Sequence, residues 1–219
     1  MKGLKPIVIS LLTLVLYSSC GEEDYHYPDV ITSFTCLHSN SQGKGTLLKT
    51  DEGSTWHIDP QYQPIGLVKD SIYRVISQFD RMPETEPSDS IIRPYSFRLT
   101  LSPSPFPKSE LKEMHTDPVS IQSIWKSEGY LNLILKIKKK NKMHLYGFVE
   151  EELTISDKGP SKLMLTLFHD RKDDVEAFDE KLYFSVPLKS YESVLQKGDS
   201  IIFQLQTYEE GMTSRTFIY

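Results

Sequence analysis

The sequence predicts an all-β protein: a compact five-stranded barrel followed by an antiparallel β-sandwich. Three observations predict it. The 219 residues include 12 Tyr and 10 Phe, with β-branched residues plentiful beside them, and these types fit a pleated, half-buried surface better than a helix. Thirteen Pro and 11 Gly punctuate the chain, as short strands joined by turns require. Outside the first 20 residues, no segment of ordinary helix length carries a convincing apolar stripe.

The first half reads as five strands. Residues 30–37 are β-branched and aromatic, and residues 46–50 and 55–58 flank Asp51-Glu52-Gly53. That turn reads as a hairpin, because Gly tolerates a positive φ. Residues 72–79 form a fourth strand, and residues 81–90, with Pro83 and Pro87, form a loop. Residues 95–101 alternate Tyr95, Phe97, Leu99 and Leu101, a period of two. Closure into a barrel removes the exposed edges of such a sheet. Ser102-Pro103-Ser104-Pro105-Phe106-Pro107 then breaks the pattern, since Pro cannot donate to a strand ladder. About seven strands follow, at 119–126, 130–138, 143–155, 163–168, 182–188, 200–207 and 213–219. Short turns between them point to a sandwich. The expected organisation is a signal peptide at 1–19, a tether at 20–27, the barrel at 28–101, a connector at 102–117 and the sandwich at 118–219.

The N-terminus is an export signal. Lys2 and Lys5 precede an apolar run from Ile7 to Tyr17, then Ser18-Ser19-Cys20. The expected signal-peptide helix is too short to span a bilayer, which needs ~20 residues. Ser18-Ser19-Cys20 resembles the bacterial lipobox, with Tyr17 standing where that pattern prefers Leu. The resemblance implies acylation of Cys20 and a membrane anchor; more than one acyl chain makes such an anchor stable. Gly21-Glu22-Glu23-Asp24 follows and resembles the surface-export signal of Bacteroidota lipoproteins. An outer-membrane lipoprotein facing the cell surface is therefore expected. With Cys20 acylated, Cys36 has no partner among the two cysteines, and a buried structural thiol is its expected role.

Charge narrows the partners. The net charge is -5, and 23 basic against 30 acidic residues remain once the first nineteen are removed. An acidic chain suits the phosphate backbone poorly, so no nucleic-acid partner is expected. Within residues 20–95 there are 6 basic and 12 acidic side chains, so the acidic excess sits near the anchor.

Several short motifs then fall in order: Tyr27-Pro28; Lys49-Thr50-Asp51-Glu52-Gly53; Asp117-Pro118-Val119; Ser123-Ile124-Trp125; Gly129-Tyr130-Leu131-Asn132-Leu133; His144; Phe168-His169; and Tyr183 to Leu188. Together they resemble the NigD-like lipoproteins over nearly the whole mature chain. The resemblance implies an OB-like N-terminal barrel, a C-terminal β-sandwich and a role in bacteriocin immunity.

No motif identifies a reaction, and neither catalytic residues, a metal site nor a cofactor is expected. His169-Asp170-Arg171-Lys172-Asp173-Asp174 offers carboxylates to a cation, but Arg171 and Lys172 oppose one, so a solvated loop is expected. Glu150-Glu151-Glu152 lacks the second, distant carboxylate of a glycosidase and reads as an exposed strand face. The run from Lys136 to Lys142 reads as a solubilising tip at a strand edge. Exposed aromatics remain as binding candidates for a protein or glycan, namely Trp56, Trp125, Tyr130 and Tyr146.

Overall fold

The computed structural model describes residues 29–62, 67–81 and 90–219. The signal peptide, Cys20 and the tether lie outside the described residues. β1 (Ile31–Ser39), β2 (Gly45–Thr50), β3 (Thr55–Tyr62), β4 (Ile72–Arg81) and β5 (Ile91–Leu99) close a barrel in the order β1-β2-β3-β5-β4. The Asp51-Glu52-Gly53 turn joins β2 to β3 as an antiparallel hairpin, with Gly53 at φ 87°. Leu37, Leu48, Ile58, Val75, Phe79 and Ile92 fill the interior.

The second unit has two layers. One sheet runs β13-β12-β10-β9-β6 and the other β11-β8-β7. Their strands are β6 (Phe106–Pro107), β7 (Ser120–Ser127), β8 (Tyr130–Lys139), β9 (Leu145–Thr154), β10 (Lys162–Asp170), β11 (Phe178–Pro187), β12 (Ser200–Thr207) and β13 (Gly211–Ile218). β8 shows how the sequence builds the layers. Leu131, Leu133, Leu135 and Ile137 point into the core between the sheets. Successive strand residues face opposite ways, so Tyr130, Asn132 and Ile134 point outward, toward the barrel. Among the described residues, no helix is long and apolar enough to cross a membrane.

The all-β expectation holds, with three differences of detail. The sandwich is antiparallel except where β10 pairs with β12 and β9 with β6, both parallel. The Pro-rich segment at 102–107 does supply an edge strand, at Phe106–Pro107, because an edge position needs only part of the ladder. Gly147 on β9 makes room for it: a Cβ there would lie 2.9 Å from the Phe106 ring. The strand expected at 95–101 instead runs Ile91–Leu99, and a register shift at Gln78/Phe79 disturbs its pairing with β4. Of its alternating residues Phe97 packs on the barrel core, whereas Leu99 is 65% and Tyr95 44% exposed.

Candidate functional site

The barrel rests on the outer face of the three-stranded sheet, and the contact is polar at its centre. On β4, Val75, Ser77 and Phe79 face the barrel interior, so alternation turns Ile72, Arg74 and Ile76 outward toward the sandwich. Arg74 is only 8% exposed, and all five of its guanidinium N–H groups find acceptors. Nε donates to Ser185 Oγ at 2.9 Å. Nη1 donates to Asp51 Oδ1 at 2.5 Å and to Cys36 Sγ at 3.7 Å. Nη2 donates to Asp51 Oδ2 at 2.7 Å and to Asn132 Oδ1 at 3.0 Å. The Tyr130 ring lies against the guanidinium, 3.9 Å from ring centre to Cζ. Burial works against this charge, but Asp51 outweighs it and holds Arg74 above its ordinary value. Asp51 Oδ2 also accepts from Ser127 Oγ at 2.6 Å and from Asn132 Nδ2 at 3.0 Å. Satisfied polar networks of this kind rigidify a contact and fix its geometry.

A recess opens on each side of this knot. On one side is a cleft of about 340 Å³ lined by Cys36, His38, Lys49, Thr50, Asp51, Tyr130, Glu128, Lys189 and Glu192, among others. Cys36 Sγ lies 3.6 Å from Tyr130 Oη, and burial, with that contact, pushes the Tyr130 phenol up to about 12. Among the described residues, Thr50 Oγ1 is the one buried side-chain polar atom without a hydrogen-bond partner. An unmet buried polar group costs about 1–3 kcal/mol. On the other side is a groove of about 310 Å³ containing Phe34, Trp125 and Tyr183. Trp125 meets Phe34 edge-on at 5.2 Å, and Tyr183 meets it at 6.1 Å.

Of the four aromatic candidates, Trp125 and Tyr130 therefore stand at this waist. Trp56 packs on the barrel core with Arg81 over its ring at 4.8 Å. Tyr146 packs on the sandwich core, stacked on His169 at 5.0 Å and edge-on to Phe184. Each central residue of the knot interrupts an apolar or aromatic strand run: Arg74 between Tyr73 and Val75, Asn132 between Leu131 and Leu133, Ser185 between Phe184 and Val186. A polar residue in such a run is the available signal for a buried polar contact, and the sequence reading did not use it.

A second polar cluster corrects the expectation of a solvated loop after β10. His169, Asp170 and Asp174 are buried. β10 and β11 belong to different sheets, so the 171–177 segment crosses between layers instead of closing a hairpin. His144 Nε2 faces Asp174 Oδ2 at 3.3 Å, His144 Nδ1 faces His169 Nε2 at 3.0 Å, and His169 Nδ1 faces the Asp117 carbonyl at 2.9 Å. Burial holds His169 below its ordinary value, against the pull of the Asp117 carbonyl. Burial opposes the charge on Asp174 too, but the amides of Lys140, Asn141 and Lys142 and the His144 ring outweigh it and hold that carboxyl well below the usual range. The pattern ties two loops together, and among the described residues no group of three or more metal-ligating side chains forms. The three glutamates of β9 are likewise engaged separately: Glu150 by Tyr191 Oη, Glu151 by Lys108 and Glu152 by Lys162.

Residues 102–219 match the family model of the NigD-like C-terminal beta sandwich domain. A NigD-like immunity protein from Bacteroides caccae superposes with a TM-score of 0.68 at 25% identity, over 89% of this chain and 99% of that one. A protein of unknown function from Bacteroides vulgatus gives 0.68 at 16% identity, over 87% and 90%. A candidate toxin-related protein from Parabacteroides distasonis gives 0.64 at 18% identity, over 87% and 93%. Among curated proteins none matches the chain.

Proposed function

The chain belongs to the NigD-like family, and from that premise we propose that it is a non-catalytic, lipid-anchored envelope protein that holds a protein or glycan partner at its waist. One observation carries the reading: a rigid, fully satisfied Arg74–Asp51–Asn132 knot flanked by two recesses. Binding sites work best when their groups are held in place beforehand, and the knot does that for both recesses. Engagement of each β9 glutamate by a structural partner favours the non-catalytic reading. Acylated Cys20 would hold the protein on the outer membrane, facing the cell surface through the Glu22-Glu23-Asp24 signal. Replacing Cys20 by Ala should move the protein from the detergent phase to the soluble fraction; an unchanged distribution contradicts the anchor. Pull-down from membranes of the source bacterium should recover a partner with the native protein and lose it with Lys49→Glu/Lys189→Glu in the cleft. Equal recovery with both removes the cleft from the reading.

A second reading is immunity, in which the partner is a toxin. It is favoured by the name of the Bacteroides caccae relative, a NigD-like immunity protein at 25% identity. A deletion strain sensitive to a bacteriocin, rescued by the gene, would establish it; unchanged survival would remove it.

A further inference from the structure

We propose that the Trp125 groove binds a sugar that carries negative charge, a uronate- or sulfate-bearing oligosaccharide; this rests on the reading of the protein as a binding module and names a ligand class for it. The argument starts from the cross-strand register of β8 and β11. Lys136 and Lys181 stand directly opposite each other, both exposed, on the face that also carries Ile134 and Tyr183. Like charges directly opposed on a sheet are destabilising, and elsewhere this chain avoids them. The next row on the same face sets Asp179 opposite Lys138. Neither Lys136 nor Lys181 is offset by a carboxylate directly across the strands. Lys181 is the charged residue in the groove wall, with Lys136 across the strands from it, and the Arg98 guanidinium lies 5.5 Å from the centre of the Tyr183 ring. No carboxylate is among the groove's lining residues, although the chain as a whole carries a charge of -5. An unbalanced basic groove on an acidic protein selects an anion.

The walls define what the anion is attached to. Half-buried Trp125 and Tyr183 supply apolar ring surface, with Phe34 buried between them, and the Gln122 amide and Ser33 hydroxyl line the same groove. Aromatic walls beside amide, hydroxyl and ammonium groups match a ring with apolar C–H faces and equatorial hydroxyls. A phosphate backbone would need a longer basic track, and the acidic excess of the barrel opposes one.

The test titrates the mature protein with four probes: a heparin hexasaccharide, a galacturonate oligosaccharide, an uncharged dextran oligosaccharide and a single-stranded DNA oligonucleotide. Both charged sugars should bind, and more weakly as salt rises. The Lys136→Ala/Lys181→Ala variant should weaken both by roughly tenfold or more, while Lys158→Ala, on a distant loop, leaves them unchanged. Gln122→Ala, at an exposed position, should weaken the sugars without altering the salt dependence. Equal binding of dextran would overturn the charge argument and leave a glycan-binding module standing. Tighter binding of the DNA would overturn the ligand class. No binding of any probe, with a partner still recovered by pull-down through the Lys49 cleft, would overturn the groove proposal alone.

Discussion

Among the described residues, the barrel's core cluster holds six buried side chains, whereas the sandwich's holds seventeen, from Val119 to Leu205. A unit of about 70 residues with so small a core rarely supplies more than about 3–5 kcal/mol by itself. The barrel therefore depends on its seat. The sandwich does not depend on the barrel in the same way, because its core lies between its own two sheets. The contact that joins them is a buried ion pair of the barrel itself, Arg74 with Asp51, that hydrogen-bonds to Asn132 on β8, Ser185 on β11 and Ser127 at the end of β7. Such pairs contribute little net stability compared with well-packed apolar residues, yet breaking one is costly. The arrangement thus fixes how the two units sit and keeps the recesses beside it in shape.

The largest effect should come from breaking that pair. Arg74→Met leaves Asp51 buried without its cation and should cost about 3–5 kcal/mol, read as a lowered denaturant midpoint. A loss below about 1 kcal/mol would mean that Arg74 and Asp51 do not form a buried ion pair. Truncating a core leucine should cost about 2–5 kcal/mol in either unit, but with different reach. Leu165→Ala, in the sandwich, should bring down the whole molecule. Leu48→Ala, in the barrel, should unfold the barrel while the sandwich persists, visible as loss of only part of the amide-exchange protection.

Much of this unevenness was legible in the sequence, and some of it was not. The hairpin at Asp51-Glu52-Gly53 and the turn before Tyr130 could be read because glycine chemistry is local; Gly53 and Gly129 sit at φ 87° and 73°. Leu131 to Ile137 could be read because alternation is local too. The knot could not, since Arg74 meets partners 58 and 111 residues away, at Asn132 and Ser185. Residues 95–99 could be read as strand because alternation is local, although it did not tell that Phe97 packs on the core while Tyr95 and Leu99 stay exposed. The burial of His169 and Asp174 was hidden by their charged neighbours Arg171, Lys172 and Asp173, which do face solvent or pair outside the cluster.

Acid should separate the two units in a milder way. His169 is held below its ordinary value when folded, so the unfolded chain takes up a proton more readily; the stability this group supports is present above about pH 6.5 and lost as pH falls. Asp174 is likewise lowered, so its contribution is present above about pH 4 and lost below it. Both act on the sandwich. A stability profile flat from pH 7 to pH 3 would contradict the buried chain. The smallest effect should be Tyr130→Phe, which keeps the ring against Arg74 and removes only the hydroxyl beside Cys36. About 0.5–1.5 kcal/mol is expected; a loss comparable to Arg74→Met would mean that the hydroxyl, not the guanidinium, organises the waist.

The chain carries two tryptophans, Trp56 on barrel strand β3 and Trp125 on sandwich strand β7. Single-tryptophan versions, made with Trp56→Phe or Trp125→Phe, report each unit separately during equilibrium unfolding. With Arg74 present the two transitions should coincide. With Arg74→Met the Trp56 signal should be lost at lower denaturant than the Trp125 signal. Transitions that stay coincident after the substitution, or that are already separate before it, would contradict the claim that Arg74, held in place by Asp51, ties the barrel to the sandwich through Asn132 and Ser185.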